Sequence, residues 1–429
     1  MTSEHNIRRF EAVQEQLHAL DIISNLLTSS SFDLDSLLQE IVKITTEMLQ
    51  VKACSLRLYD ETRGEMILKA VHGLSEHYQT KGPVLARESI YQEMIESRDD
   101  GGKVVEIFDI SQDTRVQYTQ EAISEGIHSM LAIPLRRNGK VIGAMSILTM
   151  TPHHFSEEET RTFKTIANQA GAAISLAQLH QDLMDLERIE QELKIAANIQ
   201  SRFMPTTTPQ IEGIELAGWN RACREVGGDF YDYIELPQDN FGIALGDVSG
   251  KGIPAALLMT AVRTSLRVQA ENIYSMSEVI SRVNHALIKD TNLEEFATLF
   301  YAVLDLSNWM LTFINAGHNH PLLLRGAEVL PLRTGGIPVG LFRDAVYTQG
   351  TLQIVPGDLL VIYSDGFTEA PNAQWEQFGE ERLVELVKHY RDHEPAEIIR
   401  ALEQSVTEYL SPNVNYSDDR TIVIMKAHN

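Results

Sequence analysis

Apolar residues recur along this chain with two different periods, and the switches between them divide it into segments. Residues 7–28 place Ile7, Phe10, Val13, Leu17, Leu20, Ile23 and Leu27 at steps of three and four, the spacing of one helix face. This helix is expected to pack either against a second copy or against its own chain. Asp33 then caps a second helix with Leu34, Leu37, Leu38, Ile41, Val42, Ile44, Thr45, Met48 and Leu49 on its buried side. From Ala53 the period falls to two, and Leu56, Leu58 and Tyr59, then Met66, Leu68 and Ala70, flank Asp60-Glu-Thr-Arg-Gly64 as a hairpin. A second hairpin pairs Met130–Leu135 with Val141–Ile147 around Arg136-Arg-Asn-Gly139. Phe155-Ser-Glu-Glu-Glu159 caps a helix that contains Ile166-Ala-Asn-Gln-Ala-Gly-Ala-Ala-Ile174.

Beyond it, Leu176, Leu179, Leu183, Leu186, Ile189 or Glu190, Leu193 and Ala197 keep close to a heptad among charged neighbours. That spacing predicts a linker helix that pairs with a second copy as a short coiled coil, or packs on its own chain. Pro205 and Pro209 stop it. From residue 206 onward, strand-like runs at 214–219, 228–236, 241–248, 298–306, 310–316, 321–325, 351–355, 359–364 and 420–426 alternate with helical runs at 254–271, 277–290, 380–390 and 395–410. The fold class expected is α+β.

Composition narrows the picture modestly. At 429 residues, 43% hydrophobic and 22% charged, the chain is long enough for two or three globular domains. Its formal charge of −24 opposes binding to nucleic acid or to an anionic membrane. The two cysteines, Cys54 and Cys223, suit a reducing compartment and no thiolate metal site. No run approaches the length of a membrane span and the start lacks a signal-peptide core, so the expected location is the cytoplasm.

The chemistry lies in acidic residues at strand ends. Phe230–Leu236 and Phe241–Leu245 read as two strands turning at Asp239-Asn240, which would set Asp229 beside Asp247. Leu359–Tyr363 delivers Ser364-Asp365-Gly366, and Ser417-Asp418-Asp419-Arg420 opens the last strand. Adjacent carboxylates repel unless a cation lies between them. Oxygen donors without His or Cys suit Mg²⁺ or Mn²⁺ rather than zinc.

Six motifs in order resemble the PPM metal-dependent serine/threonine phosphatases, in the bacterial SpoIIE/RsbU-type branch. They are Gly227-Gly-Asp-Phe-Tyr-Asp232, Asp247–Met259, Asn315-Ala-Gly-His318, Gly335–Gly340, Tyr363–Ala370 and Asp418-Asp-Arg-Thr421. The resemblance implies an α-β-β-α sandwich over 206–429 holding two Mn²⁺ or Mg²⁺ ions. It implies that Asp229, Asp247, Asp365 and Asp418 are the catalytic metal ligands with the Val248 carbonyl, and that Asp419 can exchange roles with Asp418. Asp232 is expected to orient the loop or a metal-bound water rather than to ligate. Arg224 and Arg420 either meet substrate phosphate or pair with nearby aspartates, and His318 is either a general acid or a turn residue.

The implied substrate is a phosphorylated protein, an anti-sigma-factor antagonist with a STAS domain. Residues 22–178 resemble a GAF sensory domain of antiparallel sheet and helices, carried by Ile133-Pro-Leu, Ile142-Gly and Phe155-Ser-Glu-Glu-Glu159, and its ligand is unknown. The expected layout is thus an N-terminal helix at 1–21, the GAF domain at 22–178, a linker helix at 179–205 through which the chain dimerises, and the phosphatase at 206–429. Gly227-Gly-Asp-Phe230 also resembles the Gly-Gly-Asp-Glu-Phe signature of diguanylate cyclases, but the glutamate is missing and the other aspartates are left without a role. A degenerate, scaffold-only phosphatase is disfavoured because none of the four ligand positions is lost.

Overall fold

The computed structural model describes residues 34–97, 103–273, 275–292, 294–411, 414, 416 and 418–428. The helix expected over 7–28 lies outside the described residues. The chain forms two compact units, 1–187 and 188–429.

In the first unit, α1 (Leu34–Met48), β1 (Ala53–Asp60), β2 (Glu65–His72), α2 (Glu76–Gln79), β3 (Val84–Leu85), α3 (Tyr91–Glu96), β4 (Val105–Ile107), α4 (Thr119–Ser124), β5 (Ser129–Arg137), β6 (Lys140–Thr149) and the start of α5 (Glu157–Ser201) follow in order. The strands make one antiparallel sheet, ordered β3-β2-β1-β6-β5-β4. Strand alternation sends Cys54, Leu56, Met145 and Ile147 to one face, where Leu38 and Ile41 of α1 and Phe163, Ala167 and Ile174 of α5 cover them. The opposite face carries Ala53, Ala144 and Leu148 beneath Tyr78, Ile90, Tyr91 and Met94. The predicted cap of α5 is present: Ser156 Oγ accepts from the Glu159 amide at 3.2 Å, and Glu159 accepts from the Ser156 amide at 2.7 Å. The helix continues without a break to Ser201. Leu176, Leu179, Leu183, Leu186 and Ile189 are exposed along it, at 49–57%.

The second unit contains β7 (Ile214–Arg221), β8 (Phe230–Leu236), β9 (Asn240–Val248), α6 (Ile253–Asn272), α7 (Met276–Asp290), β10 (Ala297–Asp305), β11 (Met310–Ala316), β12 (Leu322–Arg325), β13 (Glu328–Pro331), β14 (Gly335–Gly336), β15 (Gly350–Gln353), β16 (Leu359–Tyr363), α8 (Gly379–His389), α9 (Pro395–Tyr409) and β17 (Arg420–Ala427). One sheet runs β14-β11-β10-β9-β8 with β15 also on β11; the other runs β13-β12-β16-β17-β7. Phe241, Leu245, Phe300 and Phe313 meet Leu360, Ile362, Val423 and Met425 between the sheets. Phe230, Ile234 and Ala244 face α6 and α7, while Val361, Tyr363 and Ile424 face α8 and α9. The result is the expected four-layer sandwich.

Small departures have local causes. The β8–β9 turn centres on Gln238 and Asp239, both left-handed at φ 62° and 55°, and Asn240 already pairs with Leu236. The strands at 328–331 and 335–336 escape the hydrophobic pattern because they are short and the second is made only of glycine.

Candidate active site

Four strand ends from both sheets meet at one edge of the sandwich. The β8–β9 ladder ends on the pair Phe230 and Gly246, so Asp229 and Asp247 face each other one step beyond it. Thr298 of β10 pairs with Asp247 on the other side. In the second sheet, Tyr363 pairs with Ile422, which brings Asp365, just after β16, to the segment that enters β17. Ser364 closes this junction: its amide donates to the Thr421 carbonyl and its hydroxyl accepts from the Thr421 amide, both at 2.9 Å. Asn220 of β7 ties the two halves, donating to Thr421 Oγ1 at 2.7 Å and to the Asp229 carbonyl at 3.5 Å.

Two glycines make this approach possible. A Cβ at Gly366 would lie 2.0 Å from the Asp419 carbonyl oxygen, and one at Gly228 would lie 2.7 Å from that of Val248.

The adjacent aspartates separate by environment. Asp419 accepts from the amides of Cys223 at 2.7 Å, Gly228 at 2.6 Å and Asp229 at 3.3 Å, so its carboxylate is spent on holding the loop that carries Asp229. Asp418 makes a 3.0 Å contact with Lys251 Nζ and is partly exposed. Asp418 is therefore the freer oxygen donor. Asp232 is turned away from the cluster: it is 1% exposed and pairs with Arg263 at 3.1 Å and Arg267 at 2.6 Å, which fastens α6 to β8. A buried carboxylate between two guanidiniums is a structural clamp, and removing one partner of such a group costs about 3–5 kcal/mol.

The electrostatics of the cluster are those of a site short of positive charge. Asp229 is 2% exposed, and its Oδ2 has no hydrogen-bond partner among the described residues. Burial first, then the charges of Asp247 and Asp419, push its pKa well above the ordinary carboxylate range, with the Ser364 and Thr421 hydroxyls offsetting part. Burial, aided by Asp418 and Asp419, lifts Asp247 to about 6 against a hydrogen bond with Asp229 and the charge of Lys251. Burial, with Asp247, Asp418 and Glu369, lifts Asp365 to about 7. Among the described residues no three His, Cys, Asp or Glu side chains already stand as a formed ion shell. The orphaned Asp229 oxygen and the all-oxygen donor set nevertheless fit a hard divalent cation, whose charge would offset the burial and repulsion that lift these carboxyls.

The remaining candidates fall outside the cluster or support it. His318 is buried, and burial lowers its pKa to about 4, so it is neutral near pH 7. Its ring contacts Thr298 Oγ1 at 2.7 Å and its amide donates to Asn315 at 2.7 Å, which suits a turn residue backing the strand beside Asp247. Arg420 points to Thr407 at 3.1 Å and Glu403 at 3.7 Å, away from the aspartates. Arg224 is exposed, with its guanidinium beside Gly252. Sequence reasoning missed Gln200, whose side-chain amide donates to the Gly227 carbonyl at 2.7 Å and accepts from the Gly227 amide at 3.1 Å. It also missed Lys251, although that residue lies within the quoted Asp247–Met259 motif.

Residues 237–428 match the family described as Stage II sporulation protein E (SpoIIE), and residues 32–175 match the GAF domain family. Protein IcfG of Synechocystis sp. is 29% identical over 264 residues, which are 55% of this chain and 41% of IcfG. Phosphoserine phosphatase RsbU of Bacillus subtilis is 27% identical over 254 residues, 58% of this chain and 74% of RsbU. The SiaA-PP2C domain of Pseudomonas aeruginosa shares the fold, with TM-score 0.51 and 22% identity over 56% of this chain and 98% of that domain. Among the described residues no helix is long and apolar enough to cross a membrane.

The raised carboxyls set a pH dependence. Asp365 titrates from 3.8 in the unfolded chain to about 7 in the folded one, so the folded state binds more protons across that window. Its contribution to stability is greatest below pH 3.8 and is lost as pH rises through about 7. In EDTA, Asp365→Asn is expected to melt above the wild type, by a margin that grows between those pH values and then levels off. Adding Mn²⁺ should raise the wild-type melting temperature and abolish the margin. A margin that is constant with pH, or no response to Mn²⁺, contradicts this account of the cluster.

Proposed function

The chain joins a GAF domain to a SpoIIE-type PPM domain, and on that premise we propose that it is a GAF-regulated, Mn²⁺- or Mg²⁺-dependent protein serine/threonine phosphatase. The observation that carries this reading is the approach of Asp229, Asp247, Asp365 and Asp418 from four strand ends at one edge of the sandwich, where burial and neighbouring acids raise the pKa of the first three. Asp229, Asp247, Asp365, Asp418 and the Val248 carbonyl would hold two cations. When bound, such ions supply charge neutralisation at the phosphoryl oxygens and activation of a water. Asp419 serves by pinning the amides of Gly228 and Asp229. Lys251 balances Asp418, and the exposed Arg224 would meet incoming phosphate. No side-chain nucleophile is needed, so no covalent phospho-enzyme forms.

The substrate in this reading is a phosphorylated STAS-domain antagonist of an anti-sigma factor, met in the cytoplasm. RsbU of Bacillus subtilis, named a phosphoserine phosphatase, supports the choice of phosphoserine. We take the functional divisions as the sensor at 22–178, the linker at 179–205 and the catalytic domain from 206. Asp247→Ala is expected to lower Mn²⁺-stimulated turnover of a phosphoserine protein by about 100-fold, equivalent to about 2.7 kcal/mol of barrier. Wild-type protein that is inert with Mn²⁺ and phosphoserine would leave a binding scaffold as the reading.

Regulation runs through the end of α5. Gln200 grips Gly227, Met204 packs against the core beneath α6 and α7, and Arg263 lies 5.9 Å from the Phe203 ring. A shift of this helix end would loosen the loop that carries Asp229. Gln200→Ala, which removes two hydrogen bonds worth about 1 kcal/mol each, should cut turnover roughly tenfold at limiting Mn²⁺ and recover at high Mn²⁺. Unaltered Mn²⁺ dependence would rule the grip out as a control point.

The exposed Leu179, Leu183 and Leu186 row is proposed as the seam with a second copy of the chain. Sedimentation should find a dimer for the wild type and a monomer for Leu183→Glu. A wild-type monomer excludes the seam.

A further inference from the structure

One face of the sensor sheet carries polar side chains at its centre, where a covered sheet normally buries apolar ones. Ser55 of β1 pairs with Ser146 of β6, and Arg57 follows two residues along β1, at a bulge between Leu56 and Arg57 in its register with β2. Bulges re-aim side chains. These residues line a cavity of about 60 Å³ that opens to solvent, walled on the other side by Tyr78, Lys81, Tyr91 and Tyr118.

Two of its cations lack an anion. Arg57 is 9% exposed, and its Nη1 donates to the Met66 carbonyl at 3.1 Å. Lys81 Nζ lies 3.2 Å from the centre of the Tyr78 ring and 5.4 Å from that of Tyr118. Neither takes part in the ion pairs of the described residues. Arg115, at the same cavity, is by contrast satisfied by Glu93 and Asp113. Glu125, one of the acids whose charge reaches Lys81, is engaged by the Ser75 amide at 2.8 Å. Burial, with the charge of Arg57, lowers the Lys81 pKa to about 7, as expected of an ammonium missing its partner. Buried charges are ordinarily paired. Here the partner has a space waiting for it, in a chain whose net charge of −24 would otherwise repel anions.

We propose that this cavity is a receptor site for a small organic anion, with one carboxylate or phosphate group seated between Arg57 and Lys81 and its carbon body against the tyrosines. Guanidinium and ammonium together match either oxyanion. The enclosed space of about 60 Å³ is far below the about 300–1,000 Å³ of drug-sized pockets, so it takes the oxyanion end, and a body of a few carbons or one ring extends into the open mouth. The proposal does not depend on the phosphatase reading, because its test reads binding.

The test uses the full chain and calorimetric titration with benzoate, benzamide, succinate and inorganic phosphate. At least one of the three anions is expected to bind, and benzamide, of the same shape as benzoate and uncharged, is not. Lys81→Gln, at a partly exposed position that leaves the sheet intact, should raise Kd roughly tenfold or more, as loss of one charge-assisted hydrogen bond does. Arg57→Gln should do the same. Binding of phosphate alone would identify the oxyanion as sufficient; binding of benzoate or succinate alone would show that the carbon body is read too. Equal binding of benzamide and benzoate, an unchanged Kd in Lys81→Gln, or no binding by any anion would overturn the assignment.

Discussion

Burial of mutually repelling carboxylates at one edge of the sandwich is the constraint around which the second unit is organised. Asp229, Asp247 and Asp365 each hold a proton more tightly than a free carboxyl does, and in each case burial is the leading cause with a neighbouring acid behind it. Left alone, such groups would move apart. Four strand ends, drawn from two sheets packed on a common core of Phe241, Phe300, Leu360 and Val423, prevent that. The core supplies the stability, and the acidic edge draws on it.

The supporting residues divide the work of holding the edge. Asp419 anchors three backbone amides, Ser364 stitches β16 to β17, and Asp232 with its two arginines fastens α6 behind β8. Gln200 reaches the same loop from the helix that precedes the domain. Each acts on backbone or on a neighbouring element, and Asp229 Oδ2 is left without a hydrogen-bond partner among the described residues.

Much of this was legible in the chain because strands and helices announce themselves by period, and aspartates at strand ends follow once the strands are placed. The hairpin that sets Asp229 against Asp247 is one such case. Assigning roles to Asp418 and Asp419 was not possible from sequence, since neighbouring carboxylates differ only in which amides and cations reach them after folding. Asp232 was expected to orient the loop or a metal-bound water, yet it is held by Arg263 and Arg267, on a helix distant in sequence. Gln200 carried no signal because a polar residue on a charged linker helix looks like any solvated position. The sensor cavity was equally silent: Arg57 and Lys81 become a pair only through the fold.

The account stands or falls on where divalent ions settle. A crystal of the full chain grown with Mn²⁺, measured at the manganese edge, tests it most directly. Two anomalous peaks bounded by Asp229, Asp247, Asp365, Asp418 and the Val248 carbonyl are the predicted result. Peaks elsewhere, or none at this edge of the sandwich at saturating Mn²⁺, would contradict it.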